Sequence, residues 1–264
     1  MGRRLEALEL RAGARLLTRT PGGYVLTPAG EAVLAHVERI EAETLAVERA
    51  IAGKDIRLEG SVRLTTVGTF AESVLPPILC ELRETHPGIM VEIVVDTRAL
   101  SLTKREADLA LRFARFTQGD LAARKVGELT YGLYASHTYL ARHGAPSFEA
   151  GAPGHAVVQD LDLPDLPEME WLRACAPRAA TVFTANSRGV QHAMVAAGIG
   201  VGALVRYLGD ADSRLVRLDA PRPSPMREIW LGVHDDIRHT PRIRAVADAL
   251  VAGLRRMHGR LAPD

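Results

Sequence analysis

From Gly60 onward the chain alternates strand-like and helix-like runs. No other feature limits the fold as much, because strands separated by helices bury their apolar faces as layered α/β units. Ser61 to Val67 reads as a strand, Thr69 to Thr85 as a helix containing Pro76 and Pro77, and Met90 to Val95 and Asp108 to Phe113 as strands. A strand pair is expected around Val126 to Ala135. Further on come a strand at Thr181 to Thr184, a helix at Ser187 to Ala197, strands at Gly200 to Leu204 and Ile229 to His234, and a closing helix at Pro241 to Met257. Pro and Gly crowd residues 144 to 167, so no element is assigned there. With 264 residues, 47% of them hydrophobic, the chain can build two or three lobes with real cores.

Ahead of this body lies one helix with a single apolar seam. Thr27 is suited to the N-cap and Pro28 to the first helical position. Val33, Val37, Ile40, Thr44, Val47 and Ile51 then recur at alternating steps of four and three, the spacing of a coiled-coil seam with one polar interruption. Such a stripe either packs on its own lobe or pairs with a second copy. Residues 53–60, GKDIRLEG, read as a hinge.

The first thirty residues form a third unit. Gly2 to Leu10 has a helical pattern punctuated by Gly13, and Arg15 to Arg19 and Tyr24 to Leu26 are strand-like runs joined through Pro21-Gly22-Gly23. The result is a helix followed by a small hairpin wing. Arg3, Arg4, Arg11, Arg15 and Arg19 face only Glu6 and Glu9, a local excess of three positive charges suited to a phosphate backbone or to a solvated basic surface.

The run RRLEALELRAGARLLTRTPGGYVLTPAGEAVL resembles the end of the recognition helix, the wing and the start of the linker helix in the LysR-type transcriptional regulators. Arg3, Leu5, Leu8, Glu9, Gly13, Leu16, Arg19, Thr20, Gly23, Leu26, Thr27, Ala29 and Gly30 carry that likeness. Further segments resembling the family are GSVRLTTVGTFAESVLPPILCELRETHP, ADLALRF, YASHTYLARHG and HAMVAAGIGVGAL, so the resemblance runs across nearly the whole chain. Val205 stands where many members have proline.

The resemblance implies an α/β chain made of a remnant winged helix-turn-helix (1–27), a linker and dimerisation helix with hinge (28–59), and a two-lobe effector domain like a periplasmic binding protein (60–264). Lobe I is expected at about 60–131 and 235–264, and lobe II at about 132–234. Family members carry about thirty further residues before such a start, which build the rest of the head, so this chain is expected to bind operator DNA weakly or not at all. The function implied is ligand-responsive transcription regulation, the alternative being a ligand-binding and dimerisation module without independent DNA binding. Implied partners are promoter DNA through Arg3, Arg4 and Arg19, a small-molecule effector, a second copy or a tetramer through Val33, Val37, Ile40, Val47 and Ile51, and RNA polymerase.

Candidate effector contacts gather at strand ends. Thr69-Phe70-Ala71-Glu72 has the form of a capping box, and a helix start suits an anion. The resemblance makes Thr69 an effector-contacting position, with Thr66 before it on the strand edge. Thr97, Arg98 and Ser101 follow the second strand. Arg112 ends another, where its guanidinium pairs with an acidic effector, is fixed by a carboxylate, or lies at the rim. Asn186 and Ser187 either cap the next helix or point into the cleft.

Other classes find little support. The net charge of +1 makes any nucleic-acid surface local. Cys80 and Cys175 lack metal-ligand spacing and fit a reducing compartment, and no apolar run reaches the length of a membrane span, so a cytoplasmic protein is expected. The nine histidines include no HExxH pair, and Ser136-His137 and His234-Asp235-Asp236 lack a nucleophile elbow, so neither enzyme activity nor a cofactor is expected. The AAGIGVG run follows a helix and is not a dinucleotide fingerprint.

Overall fold

A computed structural model describes residues 2–20, 23–34, 36–37, 40, 44, 58–95, 107–116 and 121–263. Its spine is β6 (Leu121–Ser136), a single 16-residue strand. The first half of β6 pairs antiparallel with β11 (Met226–His234), from Leu121 opposite His234 to Thr130 opposite Met226. From Tyr131 onward it pairs instead with β9 (Val201–Val205) and β10 (Leu215–Leu218). The expected strand pair around Val126 to Ala135 is therefore one strand. No turn is needed because its two halves serve different neighbours, and a register shift at Ile229/Trp230 on β11 bends the ladder midway.

On one side of this spine, β3 (Gly60–Thr66) runs parallel to β4 (Ile89–Val95) and β5 (Leu109–Arg112), and β5 pairs with β11. On the other, β7 (Ala156–Asp160) runs parallel to β8 (Ala180–Ala185) and β9. The sheet order is β4-β3-β5-β11-β6-β9-β7-β8, with β10 also on β6. Two parallel lobes thus share two crossing strands. β11, placed with lobe II by the sequence, pairs over Trp230–Val233 with β5 of lobe I.

The expected helix from Thr69 to Thr85 is two helices, α3 (Gly68–Ser73) and α4 (Leu75–Thr85). Pro76 and Pro77 stand in the first turn of α4, where a missing N–H removes no helical hydrogen bond, so they start a helix rather than interrupt one. The Pro/Gly-rich stretch contains β7 and leads into α6 (Pro167–Cys175). α5 (His137–His143) begins where Ser136 Oγ accepts the Tyr139 N–H at 3.1 Å. α7 (Arg188–Ala196), α8 (Arg206–Gly209), α9 (Pro241–Arg256) and α10 (His258–Leu261) complete the body. The main core joins both lobes, from Leu64, Phe70 and Leu109 to Leu133, Met169 and Leu172.

At the N-terminus, α1 (Gly2–Ala12) ends at Gly13, whose φ of 65° is a left-handed stop that glycine adopts freely. β1 (Leu17–Thr20) and β2 (Gly23–Leu26) form the hairpin, with Leu17 opposite Leu26 and Thr20 opposite Gly23. Residues 28–34 begin helix α2. Thr27 caps it, its Oγ1 accepting the Gly30 N–H at 3.0 Å. A Cβ on Gly30 would lie 2.1 Å from the Leu16 carbonyl oxygen, so only glycine lets α2 press against the wing.

Candidate functional site

The start of α3, directly after β3, meets lobe II, where Thr69 and Phe70 stand against Tyr207 on α8. Thr69 does not cap α3. The N–H groups of Phe70 and Ala71 both donate to the Val67 carbonyl, which makes Val67 the cap and places Thr69 inside the helix. Its hydroxyl is thereby released for a contact across the lobes, 3.0 Å from the Tyr207 hydroxyl on α8. Thr69 is only 4% exposed. Burial pushes the Tyr207 phenol up to about 12, so both hydroxyls stay protonated at neutral pH. Phe70 stands edge-on to Phe113 at 5.3 Å and to Tyr207 at 6.0 Å.

Thr66 is fully buried and its Oγ1 has no hydrogen-bond partner, an orphan polar atom at the strand edge. Arg112 donates to Thr65 Oγ1 at 3.0 Å and to the Leu111 carbonyl at 2.9 Å, which ties its guanidinium to lobe I. Asn186 donates to Asp162 Oδ2 at 3.0 Å, and Ser187 caps α7 by accepting the Val190 N–H at 3.5 Å. Thr97, Arg98 and Ser101 lie outside the described residues.

Beside these stands a charged cluster absent from the sequence reading. Glu168, in the first turn of α6, is fully buried. Its Oε1 accepts from Tyr131 Oη at 3.1 Å, from Arg188 Nη2, and from Arg227 Nη1 at 3.4 Å. Arg188 Cζ also lies 5.6 Å from the centre of the Tyr131 ring. Arg227, on the crossing strand β11, donates through Nη2 to the Phe113 carbonyl of lobe I at 2.8 Å. Burial holds the Tyr131 phenol well above its ordinary range, which keeps it a donor to the carboxylate. Two guanidinium groups therefore meet one carboxylate.

Glu168 was hidden because α6 begins in the stretch where Pro and Gly obscure periodicity. Arg188 directly follows Asn186-Ser187, so the one available signal was its place at the same helix start. Arg227 carried no signal, since only the crossing of β11 brings it here.

Arg3 and Arg4 lie on α1, and Arg19 lies on β1 opposite Tyr24. Glu9, one of the two acids among these arginines, accepts the N–H groups of Leu16 and Leu17 at 2.7 and 3.1 Å, which hold its carboxyl below the ordinary range. It fastens the wing to α1. On α2, Val33 is half-buried while Val37 and Ile40 are 48% and 67% exposed. Thr44 Oγ1 donates to the Ile40 carbonyl at 2.9 Å, and Val47 and Ile51 lie outside the described residues. Among the described residues no group of three or more His, Cys, Asp or Glu is placed to hold a metal ion, and no helix is long and apolar enough to cross a membrane.

A family model described as the LysR substrate binding domain matches residues 56–255. Over 146 residues the chain is 34% identical to an HTH-type transcriptional regulator of Xanthomonas campestris pv. campestris, spanning 55% of this chain and 42% of that relative. It is 26% identical over 260 residues to the HTH-type transcriptional regulator CrgA of Neisseria meningitidis serogroup C, covering 96% of this chain and 87% of CrgA. The solved structure of CrgA, a LysR-type regulator, matches with a TM-score of 0.66 at 25% identity over 96% of this chain and 88% of that one. The full-length Vibrio cholerae virulence activator AphB matches in fold, with a TM-score of 0.69 at 22% identity over 95% of this chain and 88% of that one.

Proposed function

We propose that this chain, which belongs to the LysR-type transcriptional regulators, takes a small effector between its two lobes and passes the change in lobe geometry through α2 to a DNA-contacting head. The observation that carries this reading is the meeting of Thr69 with Tyr207 across the lobes, beside the cluster of Glu168, Arg188 and Arg227. A ligand that prefers one arrangement of the lobes shifts the population toward it by its differential affinity. Thr66, with an orphan hydroxyl, and Thr69 are proposed as direct contacts. Arg112, Asn186 and Ser187 support the cleft walls through the bonds described above, and Thr97, Arg98 and Ser101 complete the proposed set.

In this reading residues 1–27 contribute Arg3, Arg4 and Arg19 to promoter DNA. Residues 28–59 pair two copies through Val33, Val37, Ile40, Val47 and Ile51, and residues 60–264 hold the effector. Exposed valine and isoleucine at seam spacing support the pairing, because such a stripe gains stability only when covered. The protein works as a cytoplasmic regulator that catalyses no reaction, and RNA polymerase is its further partner at the promoter.

A thermal-shift screen with small organic metabolites tests the effector site. At least one compound should raise the melting temperature of the native chain and do so less in Thr69→Ala, since a ligand that binds only the folded state stabilises it by mass action. A set of stabilising compounds indifferent to Thr69→Ala would move the site elsewhere.

A further inference from the structure

Between α5 and β7 lies a tyrosine with two histidines, none of which belongs to the cleft residues described above. Tyr139 on α5 is 1% exposed, and His155, directly before β7, is 8% exposed. The Tyr139 ring stacks on that of His143, four residues further along α5, with centroids 4.6 Å apart and planes at 27°. Its hydroxyl accepts the N–H of Ala156, the first residue of β7, at 2.9 Å and lies 3.1 Å from His155 Nδ1. A phenol oxygen keeps its own hydrogen and its best acceptor direction in the plane of the ring. The Ala156 N–H takes the acceptor direction, so the Tyr139 O–H supplies the proton between Oη and Nδ1. His155 Nδ1 is therefore an acceptor, and the imidazole is neutral with its hydrogen on Nε2. A second proton would turn Nδ1 into a donor. Two donors would then converge on one oxygen whose own hydrogen has lost its acceptor, and one of the three contacts must give way.

The loop leading into this contact is strained. Ala152, 1% exposed, has a φ of 55°, a left-handed conformation that a residue with a side chain holds only under tertiary constraint. Its carbonyl accepts the His155 N–H at 3.3 Å. No carboxylate among the described residues acts on His155 to favour its charged form. Burial opposes that form first and His143 second, and together they hold the imidazole below its ordinary 6.5. The other charged residues on the elements around it are engaged elsewhere or face water. Arg142 Nε donates to the Thr138 carbonyl at 3.2 Å, the Arg178 stem lies against Gly151, and Glu149 is exposed. We propose that Tyr139 and His155 form an acid-released latch in lobe II, which fastens α5 and the loop 144–155 to the first residue of β7 while His155 is neutral and lets go when His155 is protonated. Release frees the Ala156 N–H and the strained turn at Ala152, and it leaves the sheet pairing of β6 with β9 intact. Lobe II thus has an input, protons, that does not depend on any ligand of the cleft.

The direction of the effect follows from linkage. A histidine whose folded pKa is lowered contributes stability that is complete above 6.5 and is lost as pH falls from there through the folded value. The full chain is followed by amide hydrogen exchange and by the His155 ring signals in NMR between about pH 8 and 5, the span over which imidazoles titrate. Protection of the Ala156 N–H, corrected for its intrinsic exchange rate, should fall at least about tenfold with the same midpoint as the His155 ring. The N–H of Leu133, fully buried on β6, should keep its protection. His155→Gln offers Tyr139 an acceptor that does not titrate, and should keep Ala156 protected throughout. His143→Gln removes the neighbouring charge and should move both midpoints to higher pH together.

Should His155→Gln fail to fold, Tyr139→Phe decides instead. Without the hydroxyl, Ala156 should exchange fast across the whole range while Leu133 stays protected, and protection of Ala156 that still falls with pH in this variant overturns the latch. So does constant protection of Ala156 in the native chain, or an equal fall in His155→Gln. A loss shared by Ala156 and Leu133 means that acid unfolds the lobe as a whole, and it overturns the latch as well.

Discussion

The hydroxyl of Thr69 on α3 lies 3.0 Å from the hydroxyl of Tyr207 on α8, and both groups are almost fully buried. This bond joins lobe I to lobe II at a place where neither hydroxyl can turn to water instead. Tyr207→Phe keeps the ring against Phe70 but strands the Thr69 hydroxyl, and should cost about 1–3 kcal/mol of unfolding free energy. Urea denaturation measures it. A double-mutant cycle with Thr69→Val should return a coupling of roughly 1 kcal/mol, and a coupling near zero would mean that the lobes stand apart in solution.

Acid should loosen the wing. The Glu9 carboxylate accepts two backbone N–H bonds, from Leu16 and Leu17, and its pKa is lowered from 4.5 by those bonds. A carboxyl with a depressed folded pKa contributes stability above its unfolded pKa and loses that contribution as pH falls through the folded value. The amide resonances of Leu16 and Leu17 should therefore shift and exchange faster as pH drops below the ordinary carboxylate range. In Glu9→Gln the same two amides should be pH-independent there.

A second carboxylate titrates lower. Arg214 donates to Asp212 through its backbone N–H, Nε and Nη2 at 3.0, 2.9 and 2.7 Å. The side-chain bonds come first among the causes that bring the Asp212 pKa from 3.8 to about 2. The direction again places stability above the unfolded pKa, with loss between pH 3.8 and about 2. Arg214 is largely exposed, so solvent screening leaves Asp212→Asn costing about 1 kcal/mol at neutral pH. The gap between variant and native chain should close as pH approaches 2. Denaturant melts across that range would show it, and a constant gap would rule out this ion pair as the source.

Self-association should depend on α2. Val37 and Ile40 are exposed apolar residues three apart on one stripe. Val37→Asp with Ile40→Asp would place two charges in a covered seam, at several kcal/mol if it pairs two helices. Analytical ultracentrifugation should show the native chain as a dimer or tetramer and the double variant shifted to monomer by at least about tenfold in dissociation constant. An identical distribution for both would assign the stripe to packing within one chain.

Local patterns carried much of the architecture. Thr27 and Pro28 announced the start of α2, and the Pro21-Gly22-Gly23 run the hairpin, because caps and turns are decided within a few residues. The strands at β3, β4, β5 and β8 were legible for the same reason: their length and apolar content are local properties. Where reading failed, distance was the cause. Pro76-Pro77 read as lying inside one helix, and the break at Val74 instead places them at the start of a second. A strand pair was expected where β6 is one strand, because the change of neighbours halfway along it is contained in no window of sequence. β7 and α6 were obscured by the Pro and Gly around them, and Glu168 went with them.

Sequence by itself determined the family likeness, the α/β class, the apolar spacing of residues 33–51 and the basic character of the first twenty residues. Each follows from residue type and short-range periodicity. Tertiary structure alone decided that the Thr69 hydroxyl meets Tyr207, 138 residues away. It also decided that Arg227 and Glu168, 59 residues apart and on different elements, share one buried contact. Hydrogen bonds and charge pairs act over a few ångströms, and the crossing of β6 and β11 between lobes is what brings those residues within that range.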